Sequence, residues 1–142
     1  MSIQTIRSLI AADMLAVDEV IRSNLYSDVA LVRQIGEYII SAGGKRLRPM
    51  LVLLSAGAFG YQGSVQHELA AVVEFIHTAT LLHDDVVDES DLRRGRKTAN
   101  AMFGNAASVL VGDFLYSRAF QMMVRVGSMR VQEVLAEATN VI

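Results

Sequence analysis

The chain has 142 residues, enough for one domain with a core of its own, and its 13 basic and 15 acidic side chains leave a formal charge of −2. That balance argues against a general nucleic-acid binder. The absence of cysteine excludes disulfides and thiolate metal sites. No uninterrupted apolar run reaches the roughly 18 residues that a membrane-spanning helix needs.

Hydrophobic residues make up 52% of the chain and the mean hydropathy is +0.35, so most helices are expected to be buried or partnered. The opening "MSIQTIRSLIAADM" has no basic start followed by a continuous apolar segment, and the expected location is the cytoplasm. Ile3, Ile6, Ile10, Met14, Val17 and Ile21 recur every three or four residues and predict one amphipathic opening helix. A second helix is expected from about Asp28, a good N-cap, to about Ser41, with Gly43–Gly44 stopping it. Pro49 suits the first turn of a third helix, "PMLVLLSAGAF", which is apolar all round and therefore expected to be buried.

"GYQGS" at 60–64 reads as a loop, followed by a long helix from about Val65 towards Asp88. The segment to Gly104 is polar and basic. "NAASVLVGDFLYSRAFQMMVRV" predicts the next helix, broken at Gly127–Ser128, and "MRVQEVLAEATNVI" begins another. No window shows the alternation of strands, and there is no internal repeat. The class is all-α, and residues 1–142 read as a single domain. The last helix reaches the end of the sequence without a capping signal, as expected of a chain that continues.

The long helix carries charge where it should not be favoured. At about 100° per residue, Glu74, His77, Leu81, Asp84 and Asp88 share one stripe, while Val72, Phe75, Ile76, Ala79, Leu82 and Val86 occupy other faces. Asp84 and Asp88 lie one turn apart, near the end where the helix dipole disfavours anions. Two such penalties call for a partner. One is a hard divalent cation, which carboxylates a turn apart can share; another is a salt bridge from a solvated helix end to Arg93 and Arg94.

The basic residues are also grouped. Lys45, Arg46 and Arg48 sit in "GGKRLRP", and Arg93, Arg94, Arg96 and Lys97 follow the aspartates. Two glycines let a backbone approach a ligand closely, and a helix entry favours anions. Two basic clusters and one acidic cluster fit a site for two phosphorylated ligands, one held directly and one through metal.

"GGKRLRP", "EFIHTATLLHDDVVDESDLRRG" and "GNAASVLVGDFLYSRAF" together resemble successive signatures of the trans-polyprenyl diphosphate synthases. The resemblance covers the whole chain in order, and a DDxxD motif followed by RRG is specific in that company. It implies the N-terminal half of an isoprenoid-synthase-type helix bundle. The implied activity adds isopentenyl diphosphate units to an allylic prenyl diphosphate, giving a medium- or long-chain all-trans polyprenyl diphosphate that serves as a quinone side-chain precursor.

By position, the resemblance implies that Lys45, Arg48, His77 and Arg94 hold the isopentenyl diphosphate. Asp84 and Asp88 match ligands of Mg2+ that anchors the allylic diphosphate, Arg93 matches a direct contact to it, and Asp85 belongs to the motif without a settled role. Electrostatics and positioning then carry catalysis, and no protein nucleophile is required. Ala79, five residues before Asp84, and its neighbour Thr80 match the wall that limits product length; nothing bulky stands there, although a small residue also permits close helix packing.

His83 reads as a residue that orients a carboxylate and His67 as a surface residue, while Asp113 is expected to be buried and in need of a partner. Met122 and Met123 read as core fillers. The second aspartate-rich motif of the family has no counterpart after Asp113, where only Glu133 and Glu137 follow, so this chain alone is expected to be nearly inactive. Unpartnered apolar faces would favour a homodimer or larger self-association, and a membrane-surface contact would suit product release. Two other functions fit parts of the sequence. One is an HD-type metal-dependent phosphohydrolase using His83 and Asp84 with His67 or His77 and Asp113. The other is a non-catalytic partner subunit of a synthase.

Overall fold

The computed structural model describes residues 1–41 and 44–141. In chain order it contains α1 (Ile3–Leu9), α2 (Ala11–Asn24), α3 (Ala30–Ser41), α4 (Leu47–Ala58), α5 (Val65–Val87), the two-residue strands β1 (Leu92–Arg93) and β2 (Arg96–Lys97), α6 (Ala99–Phe103), α7 (Asn105–Val126) and α8 (Met129–Val141). The all-α class expected from periodicity is the class observed.

The centre of the bundle is α5, about 35 Å long at 1.5 Å per residue. It packs most extensively on α7 and then on α4 and α2. Its buried face includes Val72, Phe75, Ala79 and Leu82, spaced three or four residues apart. Val111, Leu115, Ala119, Met122 and Met123 of α7 meet that face, joined by Val17 and Ile21 of α2, Val32 and Ile35 of α3, and Met50 and Leu53 of α4. Burial of the larger of these side chains, each contributing about 1.5–3 kcal/mol, is what fixes the orientation of α5.

Several local expectations change. The opening helix is two helices, because at Ile10 the N–H bonds to the Arg7 carbonyl three residues back rather than four. The bend turns Ile10 into the core, whereas α1 itself contributes only the partly buried Ile6. Asp28 does not begin α3. Its carboxylate accepts from the Tyr26 hydroxyl at 3.1 Å, the Ser27 hydroxyl accepts the Val29 N–H at 3.2 Å, and the helix starts at Ala30. The proposed stop at Gly43 lies outside the described residues. Helix α4 is buried on only one side; Leu51 is 52% exposed, so an apolar circumference did not mean burial all round.

The end of α5 explains how its aspartates are presented. Ser90 N–H bonds to the Asp85 carbonyl at 2.9 Å and Glu89 N–H to the Val86 carbonyl at 3.2 Å. This is the paired pattern of a Schellman motif, with Glu89 at φ 54° in the position glycine favours. The segment after it is not a plain loop. Leu92 pairs with Lys97 and Arg93 with Arg96 in a small hairpin. Its two turn residues, Arg94 and Gly95, have φ of 52° and 77°, as a type I′ turn requires. No alternation betrays a strand of two residues. Thr98 then caps α6 by accepting from Ala101 N–H, and Gly127 in the left-handed region closes α7 as its sequence suggests.

Candidate functional site

Three elements meet at the C-terminal half of α5. These are the loop before α4, the hairpin, and the stripe of α5 itself. They enclose a cavity of about 200 Å3 lined by Lys45 and Arg48 from the loop side, Glu74 and His77 from α5, and Arg93 and Arg94 from the hairpin. Arg46, Arg96 and Lys97 line it too, so all seven residues of the two basic clusters converge there, against only two acids, Glu74 and Asp85. A chain of net charge −2 thus concentrates positive charge at one place. This is what a polyanion site needs.

The side chains are tied to one another. Arg48 Nη1 lies 3.3 Å from His77 Nε2. Burial lowers the His77 pKa from its ordinary value of 6.5, with the Arg48, Arg93 and Arg94 guanidiniums adding to the effect, so the ring is neutral at pH 7 and has a nitrogen that can accept from Arg48. Burial raises the Glu74 pKa, opposed by Arg46, Arg48 and Arg94. The Arg94 guanidinium lies against Gly44, where an added Cβ would stand 2.6 Å from Arg94 Nη1. The Gly44 φ of 142° favours glycine, and the missing side chain leaves room for the hairpin's Arg94 guanidinium.

Asp84, Asp85 and Asp88 take different positions. Asp85 is 5% exposed, and Arg93 forks onto it with Nε to Oδ2 at 3.0 Å and Nη2 to Oδ1 at 2.6 Å. That pairing holds the Arg93 pKa above its ordinary value and Arg93 stays charged. Asp84 and Asp88 are exposed and have no hydrogen-bond or ion-pair partner among the described residues. They therefore present free oxygens one helical turn apart, at the negative end of the helix dipole, and that donor set fits a hard divalent cation such as magnesium.

Asp84 faces a second cavity, of about 370 Å3, whose wall includes Arg48, His77 and Leu81, shared with the first, together with Thr80 of α5 and Leu135, Ala138 and Thr139 of α8. Arg48 and His77 thus border both cavities, linking the cationic pocket to the aspartate end. Ala79 lines neither cavity and is buried against the core. Thr80 lines the second, with its hydroxyl bonded to the His77 carbonyl at 2.6 Å.

The other histidines separate from this site. His67 pairs with Asp13 at 2.8 Å, and its side chain is 19% exposed rather than a surface group. His83 lies 3.2 Å from Asp113, and the Asp113 side chain is 65% exposed, not buried as its apolar neighbours suggested. Asp113 does have a partner, and His83 orients that carboxylate rather than one of the motif. The histidines and acids of a phosphohydrolase set are dispersed, and among the described residues no group of three or more His, Asp or Glu side chains is placed to hold a metal. Arg46, Glu74, Arg96 and Lys97 enter the cavity without having been singled out for it. Their signal was there in part, since three belong to the two basic runs and Glu74 to the stripe.

The family model for polyprenyl synthetases matches residues 29–142. The chain belongs to the polyprenyl synthetase family. It is 61% identical over all 142 residues to the octaprenyl diphosphate synthase of Escherichia coli (strain K12), and spans 44% of that protein's length. Among crystal structures, a decaprenyl diphosphate synthase from Rhodobacter capsulatus superposes with a TM-score of 0.94 at 53% identity, over 97% of this chain and 43% of that one. A polyprenyl synthase from Caulobacter crescentus CB15, complexed with calcium and isoprenyl diphosphate, superposes with a TM-score of 0.95 at 50% identity, over 99% of this chain and 43% of that one. This polyprenyl synthetase chain therefore spans less than half the length of these three relatives.

Proposed function

We propose that this chain carries the diphosphate-binding half of a prenyltransferase site. The reaction extends an allylic diphosphate with isopentenyl diphosphate to give a medium- or long-chain all-trans polyprenyl diphosphate. The observation that carries the reading is the convergence of Lys45, Arg48, His77 and Arg94 on one cavity whose wall continues to Asp84. Family membership supports it. In this reading the cationic pocket holds the isopentenyl diphosphate, with Arg48 steadied by the neutral His77 ring. Asp84 and Asp88 are the residues that would hold magnesium, which when bound neutralises charge on the leaving diphosphate.

Arg93, paired with Asp85 of the same motif, adds fixed positive charge where the allylic diphosphate would sit. The apolar flank of the second cavity would receive its hydrocarbon chain, with Thr80 on that wall; the buried Ala79 would act by keeping the helix surface slim. Carbon–carbon bond formation then follows from holding the isopentenyl double bond beside the ionising allylic carbon, with the protein supplying orientation and dryness. No helix among the described residues is long and apolar enough to cross a membrane, which suits a cytoplasmic enzyme. Exposed Leu51, Leu110 and Val124 support self-association as a homodimer or larger assembly.

The direct test is isothermal titration of isopentenyl diphosphate into the chain. Lys45→Met and Arg48→Met are each expected to lower affinity by about tenfold or more, the scale of a lost charge-assisted hydrogen bond. Wild-type protein that binds no isopentenyl diphosphate, or variants that bind it as well as wild type, would refute the reading.

A further inference from the structure

Arg46 differs from every other basic residue at the cavity. In "GGKRLRP" its neighbours Lys45, Leu47 and Arg48 are exposed, and Arg46 alone is turned inward. Its backbone is left-handed, with φ 54° and ψ 33°, a conformation that costs a residue with a Cβ about 1 kcal/mol or more. Something must hold it there. The guanidinium donates from Nη2 to the carbonyl of Ile40 at the end of α3, at 3.3 Å. Its Nη1 is fully buried and has no hydrogen-bond partner among the described residues. An atom sealed from solvent in this way does not reach a ligand in the cavity.

Charge supplies the second tie. Glu74 lines the same cavity, and of the cations that oppose the effect of burial on its carboxyl, Arg46 acts most strongly. Arg46 is thus hydrogen-bonded to the end of α3 through the Ile40 carbonyl and shares the cavity wall with Glu74 of α5. Its own carbonyl accepts the first hydrogen bond of α4, from Met50 N–H at 3.1 Å. On the loop's other side Arg7 of α1 donates to the Lys45 carbonyl at 3.3 Å. The backbone that carries Lys45 and Arg48 is thus pinned on both sides.

We propose that Arg46 is a positioning residue, whose inward guanidinium fixes the left-handed turn before α4 so that Lys45 and Arg48 face the cavity together. Its buried Nη1 is not offered to a ligand, and it acts through those two side chains. This rests on the diphosphate-binding role of the cavity proposed above, and it assigns Arg46 a part that its neighbours' roles do not imply. Loss of Arg46 would leave the turn free to relax to ordinary backbone angles, spreading Lys45 and Arg48 apart.

The test uses inorganic pyrophosphate as the probe, titrated calorimetrically into the full chain and its variants at one ionic strength. Arg46→Met is expected to weaken binding about tenfold, and Arg46→Lys nearly as much, because an ammonium cannot reproduce the planar fork. Arg46→Gly is expected to lose the same affinity even though glycine suits the backbone angle. In an Arg48→Met background the further loss from Arg46→Met should shrink to about threefold or less, since residues that act through one another are non-additive. Full binding by Arg46→Lys, or equal losses in both backgrounds, would show a plain effect of charge and overturn the inference. Full binding by Arg46→Gly would assign the role to the backbone alone, and overturn it too. Wild-type protein that fails to bind pyrophosphate would instead remove the reading of the cavity on which the inference rests.

Discussion

Replacing Asp85 by asparagine isolates the contact that ties the hairpin to α5. The carboxylate is 8% exposed at the side chain and receives two hydrogen bonds from Arg93, whose own side chain is 42% exposed. Breaking a fully buried ion pair costs about 3–5 kcal/mol, and an exposed pair is worth less than about 1 kcal/mol. A guanidinium that remains half in water places this pair between those limits, at about 2 kcal/mol. For a chain of this length that corresponds to a fall in Tm of about 7 °C, read by circular dichroism.

The backbone carbonyl of Asp85, which accepts from Ser90, is untouched, so the Schellman end of α5 should persist. The sign in a second background is the stronger check. With Arg93→Met already in place, Asp85 is a buried carboxylate without a partner, and Asp85→Asn should then be neutral or stabilising. An equal loss in both backgrounds would refute the assignment of the pair.

Gly44→Ala places a methyl against the Arg94 guanidinium at a φ of 142°, and it should weaken pyrophosphate binding several-fold in calorimetry; unchanged affinity would contradict the contact between loop and hairpin. Glu89→Gly should raise stability in urea by about 1 kcal/mol, because glycine removes the left-handed penalty at the end of α5. The His77 ring should titrate below pH 6.5 by NMR. Because its folded pKa is lowered, the unfolded chain binds the extra proton first, and the His77 contribution to stability should decline as pH falls through 6.5. A midpoint at or above 6.5 would contradict the burial of the ring beside Arg48, Arg93 and Arg94. Phe75→Ala, at a position with no exposure, should destabilise by about 3–5 kcal/mol in the same urea assay.

The sequence made the long helix legible because burial and charge there obey one period. Phe75, Ala79 and Leu82 faced the core, and Glu74, His77 and Asp84 shared the stripe that lines the cavities. The basic clusters were legible as clusters, but their convergence was not, since it depends on a hairpin whose strands are two residues each. The distinct role of Asp85 was equally hidden. One residue along a helix turns a side chain by about 100°, which takes Asp85 away from the stripe of Asp84 and into contact with Arg93. Asp113 shows the opposite error, where apolar neighbours in sequence suggested burial and the helix instead presents it outward to His83. The break at Ile10 carries no proline or glycine, and only tertiary packing selects it.

The most direct measurement is the stoichiometry of inorganic pyrophosphate bound by the chain, with EDTA and then with magnesium. The account predicts one site without metal that Arg48→Met weakens by about tenfold or more, and a second with magnesium that Asp84→Asn or Asp88→Asn removes while leaving the first intact. A single site indifferent to magnesium, or metal-free binding lost on changing Asp84 or Asp88, would contradict it.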